Sequence, residues 1–110
     1  MTENEFIDSI YRQLRPGMDI VKPRKTTKLL RITHDRKIYY RIGENNEKYV
    51  SEEMLRKCYR RLSSRNGLSS SEISDVAGAN SPCNKTTIEW ILKMGNFAAL
   101  NGKVWLRQWE

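Results

Sequence analysis

The sequence predicts an α+β fold, and three observations carry that prediction. Apolar residues recur at helical spacing in four stretches. Two-residue alternation takes over between Met18 and Val50. Near the end, Asn101-Gly102 lies between two short apolar runs, a strong hairpin signal. With 110 residues and an apolar fraction of 38%, the chain has room for one domain with a modest core. The expected layout is a helix over 2–15, an antiparallel β-meander over 18–50, and a helical part with a C-terminal hairpin over 51–107.

The first helix opens with Thr2-Glu3-Asn4-Glu5, a capping box in which a hydroxyl and a carboxylate satisfy each other's backbone amides. Phe6, Ile7, Ile10, Tyr11 and Leu14 make its apolar stripe, and Arg15-Pro16-Gly17 ends it. Such a stripe either packs on the chain's own core or lies on a membrane or partner. Asp19-Ile20-Val21-Lys22 reads as a short edge strand stopped by Pro23. Lys28–Thr33 and Lys37–Ile42 are two longer strands turned by His34-Asp35-Arg36, and Lys48-Tyr49-Val50 is a last short one. In the second long strand Ile38, Tyr40 and Ile42 share one face, with Tyr39 and Arg41 on the other.

Ser51 caps the next helix, which runs to about Ser64 and closes at Arg65-Asn66-Gly67. Met54, Leu55, Cys58, Tyr59 and Leu62 fill an arc of roughly 140°. Arg56, Lys57, Arg60 and Arg61 fill the opposite arc, interrupted by Glu53. A third helix starts at the capping box Ser69-Ser70-Ser71-Glu72, with Leu68 and Ile73 stapled across it and an apolar face of Ile73, Val76 and Ala77. Gly78-Ala79-Asn80-Ser81-Pro82 breaks it. The fourth helix is expected from Asn84 as N-cap through Met94, stopping at Gly95. Ile88, Ile91, Leu92 and Met94 lie on one side of it, and Lys85, Thr86, Glu89 and Lys93 on the other. Phe97–Leu100 and Lys103–Arg107 form the hairpin, with Asn101 and Gly102 as both positive-φ residues of a type I′ turn.

Helix, helix, turn, helix and hairpin over residues 51–107 is an order that resembles the winged helix-turn-helix family, by architecture rather than by a residue fingerprint. The family places a short strand between its first two helices, where this chain offers only Arg65-Asn66-Gly67-Leu68. The resemblance implies a recognition helix at 84–94 and a wing at 97–107. A second likeness is carried by Ile38-Tyr39-Tyr40-Arg41-Ile42-Gly43 and, further on, Val50-Ser51 and Cys58-Tyr59. These are similar to stretches of small uncharacterised proteins on bacterial mobile gene cassettes. That implies a bacterial accessory protein and carries over no active residues.

The formal charge of +7 draws polyanions. Double-stranded DNA is therefore the expected partner. Lys85, Thr86 and Glu89 would reach base edges and Lys93 the backbone, while Lys103, Arg107, Arg56, Lys57, Arg60 and Arg61 would hold phosphates. The same residues would equally serve as plain solvated faces. Trp90, beside the polar arc, fits a protein interface better, so a protein-interaction or homodimerisation module is the alternative. Tyr39, Arg41 and Arg31 offer a stacking platform for single-stranded nucleic acid. The loop carrying Lys22, Arg24, Lys25 and Lys28 is either an arm onto phosphates or a solvated guard for an edge strand.

Other classes find little support. The chain contains no phosphate-binding glycine loop, no G-x-S-x-G and no paired acidic cluster, and its one histidine, His34, falls in an expected turn. No enzyme, cofactor or small-molecule substrate is expected, and Cys58 and Cys83 lack the spacing of a zinc site or disulfide scaffold. No apolar run approaches the ~20 residues of a membrane span. Met1-Thr2-Glu3-Asn4-Glu5 is acidic with no apolar segment after it, so no secretion signal is read and a cytoplasmic location is expected.

Overall fold

The computed structural model describes residues 1–64, 66–80 and 82–110; Arg65 and Ser81, expected in the breaks after the second and third helices, lie outside the described residues. The first element is α1 (Glu3–Gln13), held by the expected capping box: the Thr2 hydroxyl accepts from Glu5 N while the Glu5 carboxylate accepts from Thr2 N. Phe6, Ile7, Ile10 and Leu14 are buried, so the apolar stripe packs on the protein's own core.

The meander follows as β1 (Asp19–Val21), β2 (Thr26–Ile32), β3 (Ile38–Ile42) and β4 (Asn46–Val50), antiparallel in the order β1-β2-β3-β4. Both β2 and β4 begin two residues earlier than their apolar runs, because ladder hydrogen bonds extend through polar residues as readily as apolar ones. Leu29, Ile38, Tyr40 and Val50 supply its buried face. Next, α2 (Glu52–Leu62) is capped by the Ser51 side chain and buries Leu55, Cys58 and Leu62.

The remaining elements are β5 (Leu68–Ser69), α3 (Ser70–Ala77), a 3-10 turn over Gly78–Asn80, α4 (Cys83–Met94), β6 (Ala98–Asn101) and β7 (Val104–Arg107). The short stretch after α2 does supply a strand, and the second sheet has three strands in the order β5-β7-β6. Gly67 permits it. Its φ is +73°, and a Cβ there would lie 2.5 Å from the Trp105 carbonyl oxygen, so only glycine lets the chain enter β5 against β7.

Two local expectations are corrected. Asn101 pairs with Val104, which makes Gly102-Lys103 the two-residue loop; Gly102 carries the positive φ of +66° and Asn101 does not. One left-handed residue at the first loop position is the pattern of a type II′ turn, and glycine bears it without steric cost. The second correction is Asn84. The helix starts at Cys83, and Asn84 is fully buried within it rather than capping it. Its side-chain oxygen accepts from the Tyr40 hydroxyl, and its amide donates to the Tyr49 carbonyl at 2.9 Å. A buried amide with partners on β3 and β4 stabilises more than a cap at a solvated end.

Two stability predictions follow from these features. Tyr40→Phe strands the Asn84 oxygen without its donor and should lower unfolding free energy by about 1–3 kcal/mol, read from urea denaturation. Gly102→Ala should cost about 1–2 kcal/mol for its backbone conformation alone. Gly67→Ala adds a steric clash to the same penalty and should be clearly the more destabilising of the pair.

Candidate functional site

α4 presents its outer face to a groove rather than to open solvent. With Asn84, Thr87, Ile88 and Ile91 turned into the core, Thr86, Glu89, Trp90 and Lys93 form the groove floor. One wall is Val21-Lys22-Pro23, at the end of β1; the other is Leu100 and Trp105 on β6 and β7. The cavity between them is about 330 Å³. Lys85, expected on the same face, does not line it.

Two of the expected base-reading side chains already have partners. The Glu89 carboxylate accepts from the Trp105 indole Nε1 at 3.2 Å, and the Thr86 hydroxyl donates to the carbonyls of Pro82 and Cys83 at 3.3 and 3.1 Å. Trp90 is half-buried against the core with one side toward the groove. Trp105 is buried in the hairpin, and Trp109 packs on Phe6 and stacks on Tyr59 at 5.5 Å between ring centroids.

A second cavity, about 360 Å³, lies across the Lys22-Pro23 ridge. Arg24, Lys25, Ile42, Pro82 and Cys83 border it, and Lys22, Pro23 and Thr86 belong to both cavities. The start of α4 adds backbone polarity here, because Pro82 at the N-cap provides no side-chain hydrogen bond. Lys22 ties loop to helix: its ammonium donates to the Cys83 carbonyl at 3.1 Å and sits 4.5 Å above the centre of the Tyr40 ring. Burial brings its pKa down to about 8, and Lys25 and Lys48 are near enough to push it the same way. The Tyr40 phenol moves the other way, to about 12, chiefly because burial disfavours its anion.

The basic arc of α2 is largely consumed by internal ion pairs. Arg56 pairs with Glu3 at 2.8 Å and with Glu52 at 3.5 Å; Arg60 pairs with Glu3 at 3.0 Å and Glu53 at 3.3 Å. Arg61 reaches Glu72 on α3 at 3.7 Å. These arginine hydrogen bonds hold the Glu3 carboxyl below the usual carboxylate range. Lys57 is exposed and forms no ion pair among the described residues, Arg107 donates to the Ser63 carbonyl at 3.0 Å, and exposed Lys103 offers its carbonyl to Ser70 N at 2.9 Å. No residue of α2 borders either cavity, whereas Thr86, Glu89 and Lys93 of α4 do.

Among the described residues, Arg24, Lys25, Arg41, Lys48, Lys85 and Lys93 form no ion pair; neither do Arg12 and Arg15 at the end of α1. The aromatic platform on the meander is occupied from within. Arg31 lies 4.1 Å over Tyr39 and pairs with Glu47, and Lys37 lies 4.9 Å over Tyr49. A stacking base would have to displace these cations. His34 is exposed in its turn, and no group of three His, Cys, Asp or Glu able to hold a metal occurs among the described residues. The basic loop was visible in sequence; its contact with α4 was not, because residues 22 and 83 meet only through the tertiary fold.

No family model, curated protein or solved structure matches this chain.

The two thiols should behave differently. Cys58 is buried with its pKa raised to about 12 by burial, whereas Cys83 borders the second cavity. A disulfide-exchange reagent at pH 8 should therefore modify Cys83 in the native protein and Cys58 only after denaturation. Rapid native labelling of Cys58 would contradict the packing described.

Proposed function

We propose that this chain binds nucleic acid, duplex DNA first, mainly by gripping phosphates. The observation that carries the reading is the sorting of charge. Carboxylates neutralise the arginines of α2, while Arg24 and Lys25 border the second cavity beside the start of α4 and, among the described residues, pair with no carboxylate; Lys48 lies near enough to Lys22 to add to the same positive field. Unopposed cations around a concave surface attract a polyanion and release its condensed counterions. Lys93 on α4, with Lys85 and the hairpin residue Lys103, extends the set of phosphate contacts.

Element order supports the same reading. Helix α2, strand β5, helices α3 and α4, and the β6–β7 hairpin resemble a winged helix-turn-helix, with α4 in the place of the recognition helix. Yet the Lys22-Pro23 ridge stands beside the first turn of α4, and Thr86 and Glu89 have internal partners. Base reading by this helix is therefore restricted, and affinity should depend weakly on sequence.

Fluorescence anisotropy with a labelled random duplex across a salt series tests this. If about six phosphates are neutralised, log affinity should fall with log salt at a slope of about −5. Arg24→Glu and Lys25→Glu should each weaken binding and flatten the slope, whereas Arg60→Gln should leave both nearly unchanged. Absence of binding at low salt, or equal losses from Arg60→Gln, would sink the reading.

A further inference from the structure

We infer that the groove between β1 and β6 takes an extended, acidic peptide segment from a partner protein, which adds as a strand to β6. The argument begins with backbone parity. The Phe97 carbonyl accepts from Gln108 N at 2.9 Å, and Asn101 pairs with Val104 across the turn. In an antiparallel pair such bonds alternate, so the odd-numbered residues of β6 bond to β7. The N–H and C=O groups of Ala98 and Leu100 therefore point away from β7. With the order β5-β7-β6, β6 is an edge strand, and among the described residues these groups have no other main-chain partner. Ala98 is itself buried, so the open donor and acceptor are those of Leu100, which stands on the groove wall where an added strand can pair.

The groove is apolar where an added strand would place alternate side chains. Val21 and Leu100 are 63% and 53% exposed on its two walls, and Trp90 lies on its floor. Large aliphatic residues at such exposure on facing walls suit a partner's apolar residues. Lys22 and Lys93 border the same space with one carboxylate among its lining residues, Glu89, so two cations face one anion there. The balance of charge in the groove is positive, which selects acidic flanks on the peptide. It also disfavours a second copy of this chain, whose β6 edge would bring its own Lys93 to the same place. Strand edges and apolar walls suit a peptide better than a phosphate backbone. The inference shares Lys93 with the nucleic-acid reading but not Arg24 and Lys25, which lie on the far side of the Lys22-Pro23 ridge and so separate the two in a test.

A random peptide library displayed on phage and selected on the full chain tests the proposal. Enriched sequences should alternate apolar residues and carry Asp or Glu around them. Synthetic versions should bind about tenfold more weakly to Leu100→Pro, which removes the outward N–H and shortens the apolar side chain, and to Lys93→Glu. Proline at an outward-facing edge position leaves the β6–β7 ladder intact, and circular dichroism with urea unfolding verifies this. Arg24→Glu, which should weaken DNA binding, should leave peptide affinity within about twofold, so the two readings fail separately. Any of four results overturns the inference: no enrichment, enrichment of basic or helical amphipathic peptides, unchanged binding to Leu100→Pro, or a dimer in sedimentation that Leu100→Pro dissolves.

Discussion

Asn84 is the residue on which the relation between the two halves of this chain depends. Fully buried on α4, it joins the Tyr40 hydroxyl of β3 and the Tyr49 carbonyl of β4. Apolar packing alone would let a helix slide or rotate on a sheet at modest cost, since the hydrophobic effect has no direction. A buried amide with donors and acceptors fixed on two strands admits one rotation and one register. That rotation turns Thr86, Glu89, Trp90 and Lys93 outward and brings the Cys83 carbonyl within reach of the Lys22 ammonium. Both cavities follow from it.

Much of the fold could be read from local chemistry. Thr2 with Glu5 and Ser69 with Glu72 cap their helices as their spacing implies, and the apolar faces of α1, α2 and α3 are the buried ones. What could not be read was long-range. Asn84 stands where an N-cap would stand, and nothing nearby tells that two tyrosines more than thirty residues away complete its hydrogen bonds. Likewise, Asn101-Gly102 marks a hairpin but does not say which residues occupy its loop; pairing of Asn101 with Val104 decides that.

The candidate site was less legible than the fold, for an electrostatic reason. On a helical wheel Arg56, Arg60 and Arg61 look like a free cationic stripe. Their carboxylate partners include Glu3 and Glu72 on other helices, so the stripe is largely neutral in the folded protein. Lys22, Arg24 and Lys25 gave a weaker signal in one dimension, yet beside α4 they form no ion pair among the described residues. Net charge belongs to the sequence. The surface that carries it belongs to the fold.

The aromatic cluster near α1 has a consequence for how the chain is made. Phe6 packs against Tyr59, Phe97 and Trp109, and the Tyr59 hydroxyl donates to the Met1 carbonyl. A ribosome releases residue 109 long after residue 6, and its exit tunnel retains the most recent part of the chain. Phe6 can meet Tyr59 early, but its packing is complete only once translation has passed Phe97 and Trp109. Vectorial synthesis thus completes the cover over this ring last, and until then an apolar face of α1 is open to wrong contacts.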